Sequence, residues 1–180
     1  QDLPMLISGS HGTGSSLFTI HVMHQLMQSG KKILFFTALP AAKSDFKEML
    51  AEDELKDAEF IEEGGEIAGK RTIVLMSGTE EAFIDAIHKI KDADERILLI
   101  KNMDQFSEKL FNLVRMKNNI ILSGDVDDTE FINGLVEKKF STEIFFFQPK
   151  KYPVKDFPEL DQYKGFIIRN GQSGEIALQK

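Results

Sequence analysis

Eight residues near the start of the chain, Gly9, Ser10, His11, Gly12, Thr13, Gly14, Ser15 and Ser16, combine glycines and hydroxyls at a spacing suited to holding phosphate. They follow the phosphate-binding loop pattern G-x-x-x-x-G-K-[ST], with Gly9 at its first position, Gly14 at its sixth and Ser16 at its last. Ser15 stands where the pattern has lysine. A glycine turn that opens a helix offers backbone N–H groups and a positive dipole end to an anion, so ATP or a phosphate or sulfate ion is the expected ligand. The missing ammonium has a cost. A charged hydrogen bond is worth about 1.5–3 kcal/mol, so its loss weakens phosphate binding by about tenfold to a hundredfold.

Turnover needs more than capture: charge on the terminal phosphate, a held Mg²⁺ and an oriented water. The strand expected to deliver a metal-binding carboxylate is 97–100, and the residue after it is Lys101, with Asp104 three positions further on. Lys101 has two readings: it replaces the loop lysine from another strand, or it neutralises Asp104 or simply reaches solvent. Asp125, Asp127 and Asp128 end another strand and suggest a metal, but Asp127 with Glu130 also forms a helix-capping pair. His21 and His24, three apart on a helix, could share a metal but lack an evident third ligand.

The elements that must position these residues are written as alternating patterns. Apolar runs at 5–7, 32–37, 71–76, 97–100, 119–123 and 143–147 have strand length, and such runs suit a parallel sheet buried on both faces. Amphipathic stretches at 15–28, 43–51, 106–117 and 127–139, and one capped by Thr79, predict helices between them. The acidic 52–70 segment reads as surface with a short strand at 58–61, and 165–169 and 175–179 read as a hairpin joined by 170–174. Together these predict one α/β three-layer domain over 1–180, mainly parallel, closed by a C-terminal hairpin.

Composition narrows the classes of function. The chain has 180 residues, no cysteine and a net charge of −7, which excludes disulfides and thiolate metal sites and does not favour broad nucleic-acid binding. No run approaches a membrane span and no signal-peptide pattern opens the chain, so a soluble cytoplasmic protein is expected.

The run 165–178, Gly-Phe-Ile-Ile-Arg-Asn-Gly-Gln-Ser-Gly-Glu-Ile-Ala-Leu, resembles the end of the RecA-type motor domain in DnaB-type replicative helicases. The segments 143–152 and 32–40 resemble further parts of that domain, and the broader RecA-like class includes KaiC-like and RadA-like ATPases. The resemblance implies a RecA-like P-loop NTPase fold that binds ATP. It also implies roles: Ser16 as the magnesium-bound hydroxyl and Arg169 as the arginine finger. The other functional positions are changed. The loop lysine maps to Ser15, the catalytic glutamate to about Leu39, the magnesium aspartate to Lys101, the phosphate-sensing glutamine to about Gly124, and Ile167 replaces a lysine. Loss of the first four of these groups together predicts a pseudo-ATPase acting as an assembly or regulatory scaffold, through a protein partner or a homo-oligomer. The alternative is a nucleotide-binding protein or slow ATPase that uses Lys101, with a role in DNA replication or recombination.

Overall fold

The structure, a computed structural model, describes residues 3–38, 48, 50–61, 71–105, 107–114, 117–127, 139–148, 150 and 156–178. Nine strands form one sheet: β1 (Met5–Ser8), β2 (Ile33–Thr37), β3 (Ala58–Ile61), β4 (Ile73–Ser77), β5 (Ile97–Lys101), β6 (Ile120–Gly124), β7 (Thr142–Phe145), β8 (Lys164–Arg169) and β9 (Gln172–Ala177). Their order is β3-β4-β2-β5-β6-β1-β7-β8-β9. Pairings from β3 to β7 are parallel, and β8 and β9 are added antiparallel. The apolar runs explain the centre, because strands covered on both faces carry no alternation; β1 and β2 are buried at every position.

Helices cover the two faces. α1 (Ser15–Gln28) packs Val22 and Met23 on one face, over Met5, Ile7, Leu99 and Ile121. α2 (Glu52–Lys56) is a single turn started by the Glu54 carboxylate, which accepts the Ala51 N–H at 2.7 Å. On the opposite face lie α3 (Glu80–Lys89) and α4 (Glu108–Val114), which contribute Phe83, Ala86, Ile87, Leu110 and Val114 to the second core. Phe36 of β2 stacks on Phe83 with ring centroids 4.2 Å apart, a contact worth about 0.5–1.5 kcal/mol beyond its area. The fold is therefore the expected three-layer, mainly parallel α/β sandwich with a closing hairpin.

Several local expectations change. The acidic 52–70 segment contains a helix, α2, before the expected strand at 58–61. β9 starts at Gln172, so the hairpin connection is not five residues but the two-residue turn Asn170-Gly171, with both φ angles positive at 51° and 78°. Thr79 caps α3 as expected, accepting the Ala82 N–H at 3.3 Å. The predicted helices at 43–51 and 127–139 fall largely outside the described residues.

The connections place the site. β1 leads across β6 and β5 to β2, whereas the connection from β6 crosses to β7 on the other side of β1. Ligands of such sheets bind beyond the carboxyl ends of the strands where direction reverses, and here that point is the end of β1.

Candidate phosphate-binding site

The glycine loop occupies that reversal point, between β1 and α1. Its base is fixed on both sides: Gly9 N–H donates to the Gly124 carbonyl of β6 at 3.2 Å, and Phe146 N–H donates to the Ser8 carbonyl at 2.8 Å. The buried Ser8 hydroxyl accepts the Val126 N–H at 3.4 Å. The loop then curls on itself, because Thr13 donates from its hydroxyl to the Ser10 carbonyl at 2.7 Å. Gly9 has to be glycine, since a Cβ there would lie 2.7 Å from Ser15 Cβ and 2.9 Å from Phe146 Cβ.

Gly14 is the N-cap of α1 in the left-handed region, φ 103°, with no side-chain cap and no acidic residue in the first turn. The first-turn N–H groups of α1 are thus left for an anion. Ser15, in the lysine position, is buried and donates its hydroxyl to the Gly9 carbonyl at 3.0 Å. The side chain therefore closes the loop rather than reaching toward a ligand. Ser16, His11 and Gly12 are exposed, and Ser10 and Thr13 are partly buried.

Lys101 comes to the same region through strand register. Ile7, Ser123, Lys101 and Thr37 form one row across β1, β6, β5 and β2. Neighbours in a row share a face, and the Ser123 hydroxyl lies 2.9 Å from Thr19 Oγ1 of α1. Lys101 accordingly lies on the α1 face of the sheet. It is partly buried, no carboxylate pairs with it among the described residues, and burial pushes its ammonium below the ordinary lysine range. One reading of the sequence has Lys101 neutralise Asp104. The structure turns Asp104 elsewhere: its Oδ1 accepts the Asp125 N–H at 3.2 Å and its Oδ2 accepts Gln105 Nε2 at 2.6 Å.

The C-terminal segment braces the loop, a feature with no signal in the residue pattern. Gln162 Nε2 donates to the Gly12 carbonyl at 3.3 Å, and a Cβ on Gly14 would lie 2.9 Å from Leu178 Cδ1 and 3.0 Å from Tyr163 Cδ1. Between loop and brace is a cleft of about 550 Å³ bordered by His11, Phe146, Phe147, Pro158, Leu160 and Gln162.

Other candidates are not brought there. Arg169 pairs with Thr142, which pairs with Met5, so Arg169 is exposed and level with the opposite end of β1 from the glycine loop. It borders an apolar groove of about 530 Å³ with Phe18 and Ile167. The two α1 histidines separate: His24 Nδ1 bonds Glu54 at 2.8 Å and His21 bonds Gln25 at 2.9 Å. Asp127 Oδ1 accepts the Lys150 N–H at 2.8 Å. Among the described residues no three His, Cys, Asp or Glu side chains gather in a way that could hold a metal ion. No described helix is long and apolar enough to cross a membrane.

Sheet order, crossovers and loop define a P-loop NTPase-like fold of the RecA-like kind. No protein-family model and no curated protein matches the chain. Solved structures do match. The genome packaging NTPase B204 of Sulfolobus turreted icosahedral virus 2, in complex with sulfate, superimposes with a TM-score of 0.67 at 13% identity, covering 97% of this chain and 95% of that one. Its complex with ATP-gammaS gives 0.64 at 13% identity, covering 95% and 94%. The ATPase 2 and 3 portion of EssC from Geobacillus thermodenitrificans gives 0.62 at 9% identity, covering 98% of this chain and 36% of that one. These likenesses establish the fold, and they do not single out the replicative helicases suggested by the C-terminal run.

Proposed function

We propose that this chain is a catalytically degenerate RecA-like domain, one that captures a phosphate-bearing ligand in its glycine loop and acts through protein contacts rather than turnover. The observation that carries the reading is the exchange of roles at the loop. Ser15 closes the backbone where a lysine would reach the phosphates, and Lys101 stands where a carboxylate would hold magnesium. Backbone N–H groups can capture an anion, but they do not supply the charge that develops in a transferring phosphoryl group. That B204 has been solved with AMPPCP, ATP-gammaS and sulfate supports an anion as the ligand of this fold.

Arg169 suits the scaffold role. It is exposed at the end of the sheet away from the loop of its own chain, where a protein neighbour, either another copy or a different partner, can meet it. A second reading, slow ATP turnover with Lys101 as the relocated lysine, is favoured by the absence of an ion pair to Lys101 among the described residues.

One set of proteins tests both. Phosphate release from ATP is expected at background for the wild type and for Lys101→Ala, with a Ser15→Lys, Lys101→Asp double variant as the restoration attempt. Wild-type turnover that disappears in Lys101→Ala establishes the second reading instead. Light scattering on the same wild-type sample should show an assembly or a co-purified partner; a bare monomer at high concentration removes the scaffold role.

A further inference from the structure

The fold implies Mg²⁺ beside the last hydroxyl of the loop, and the residues present do not fit it. Ser16 offers one neutral oxygen, but the end of β5, on the same face of the sheet as α1, carries a cation. Asp104, the nearest acid in sequence, has both oxygens engaged with Asp125 N–H and Gln105. Asp125 itself accepts the Asp127 N–H at 3.0 Å. A hard divalent ion needs oxygen ligands, usually with one or two carboxylates among them; here the carboxylates of Asp104 and Asp125 are engaged with backbone N–H groups, and no cluster of three ligating acids or histidines forms among the described residues.

We infer that this site takes its polyphosphate ligand free of metal, with the Lys101 ammonium supplying the counter-charge that magnesium supplies elsewhere. The inference rests on reading the glycine loop as a phosphate cradle. Lys101 shares its row with Ser123, which touches Thr19 of α1, and Ser16 lies one turn earlier on that helix. The ammonium therefore belongs to the floor of the cradle rather than to the outer surface. A partly buried cation without a carboxylate partner loses hydration and gains nothing in return, so an arriving anion is its natural complement. A phosphate chain already coated by Mg²⁺ would bring a like charge to that ammonium and fits less well.

The test is calorimetric titration of the full chain with ATP and, separately, with inorganic tripolyphosphate, each in EDTA and in excess Mg²⁺. Binding in EDTA should equal or exceed binding with Mg²⁺. Lys101→Ala should weaken the EDTA affinity by about tenfold to a hundredfold, the value of one charged hydrogen bond. Lys101→Asp should bind only when Mg²⁺ is present. Binding of both ligands, or of ATP alone, supports the inference and tells whether a nucleoside is required. Wild-type binding that needs Mg²⁺, or an EDTA affinity unchanged in Lys101→Ala, overturns it while leaving the cradle intact. No binding of either ligand in either buffer overturns the cradle itself and this inference with it. The wild-type comparison involves no substitution, and Lys101→Met, which keeps the stem without the charge, serves if the alanine variant folds poorly.

Discussion

Arg96 is almost wholly buried, yet it carries no part of the site. Its guanidinium donates to the carbonyls of Ile33 at 3.3 Å, Thr72 at 3.0 Å and Arg71 at 2.8 Å, and its Nε bonds Asp92 at 2.8 Å. One side chain thus ties the leading ends of β2, β4 and β5. Arg96→Met should lower stability by about 1–3 kcal/mol, because it leaves buried carbonyls short of a donor while Asp92 keeps only Lys32. Burial of Asp92 works to raise its pKa, but hydrogen bonds from Lys32 and Arg96 outweigh it and hold the carboxyl below the ordinary range. A lowered folded pKa gives stability that is complete above the unfolded value, about 3.9, and is lost as pH falls through the folded one. Urea midpoints measured into the acid range should therefore fall, and Asp92→Asn should flatten that fall. A wild-type midpoint insensitive to acid, or an Arg96→Met protein as stable as wild type, would contradict this account. None of it was legible in the sequence, where Asp92 and Arg96 are two opposite charges four positions apart. Nothing in a linear pattern shows three carbonyls converging on one fork. Ser15 has the same character: its place in the pattern was readable, but the turn of its hydroxyl back to Gly9 was not.

Elements were the most readable level, for reasons visible in particular cases. β1, β2 and β6 are short apolar runs because both faces are covered, and α1 runs Ser15–Gln28 because Gly14 opens it and Ser29-Gly30 closes it. β9 was half missed. An edge strand needs no continuous apolar face, so Gln172-Ser173-Gly174 read as connection when they are already paired with β8. The short α2 was hidden in an acidic stretch that read as plain surface. The glycine loop yields the sharpest test at this scale. Gly9→Ala places a methyl against Ser15, Thr13 and Phe146 at once, and overpacking of this kind costs about 1–3 kcal/mol. The expected result is a lower melting temperature together with loss of any ATP-induced thermal shift. A Gly9→Ala protein that keeps the full ATP shift would mean the cradle is not where the ligand binds.

At the scale of the molecule, the net charge of −7 and the −1 to +1 exchange at the Lys101 position work in opposite directions. The net negative charge opposes polyanions, while Lys101 in the proposed cradle would attract one, so binding should be favoured by added salt only until the local attraction is screened as well. Tertiary pairings that span the chain were beyond sequence reading, since an apolar run does not name its neighbour. β1 lies between strands that come more than a hundred residues later, and the brace joins Gln162 to Gly12 across 150 positions. The pocket is consequently shaped by both extremes of the chain, and it has a place in time as well as in space. Contacts so distant along the chain form late, after the loop-closure entropy of everything between has been overcome. On dilution from urea, ATP-binding competence should recover with the slowest sheet-forming phase; recovery ahead of it would show a cradle that needs no brace. During synthesis the same geometry leaves the glycine loop unshaped until the β8–β9 hairpin has followed it, so that capture of a ligand reports that loop and brace have met.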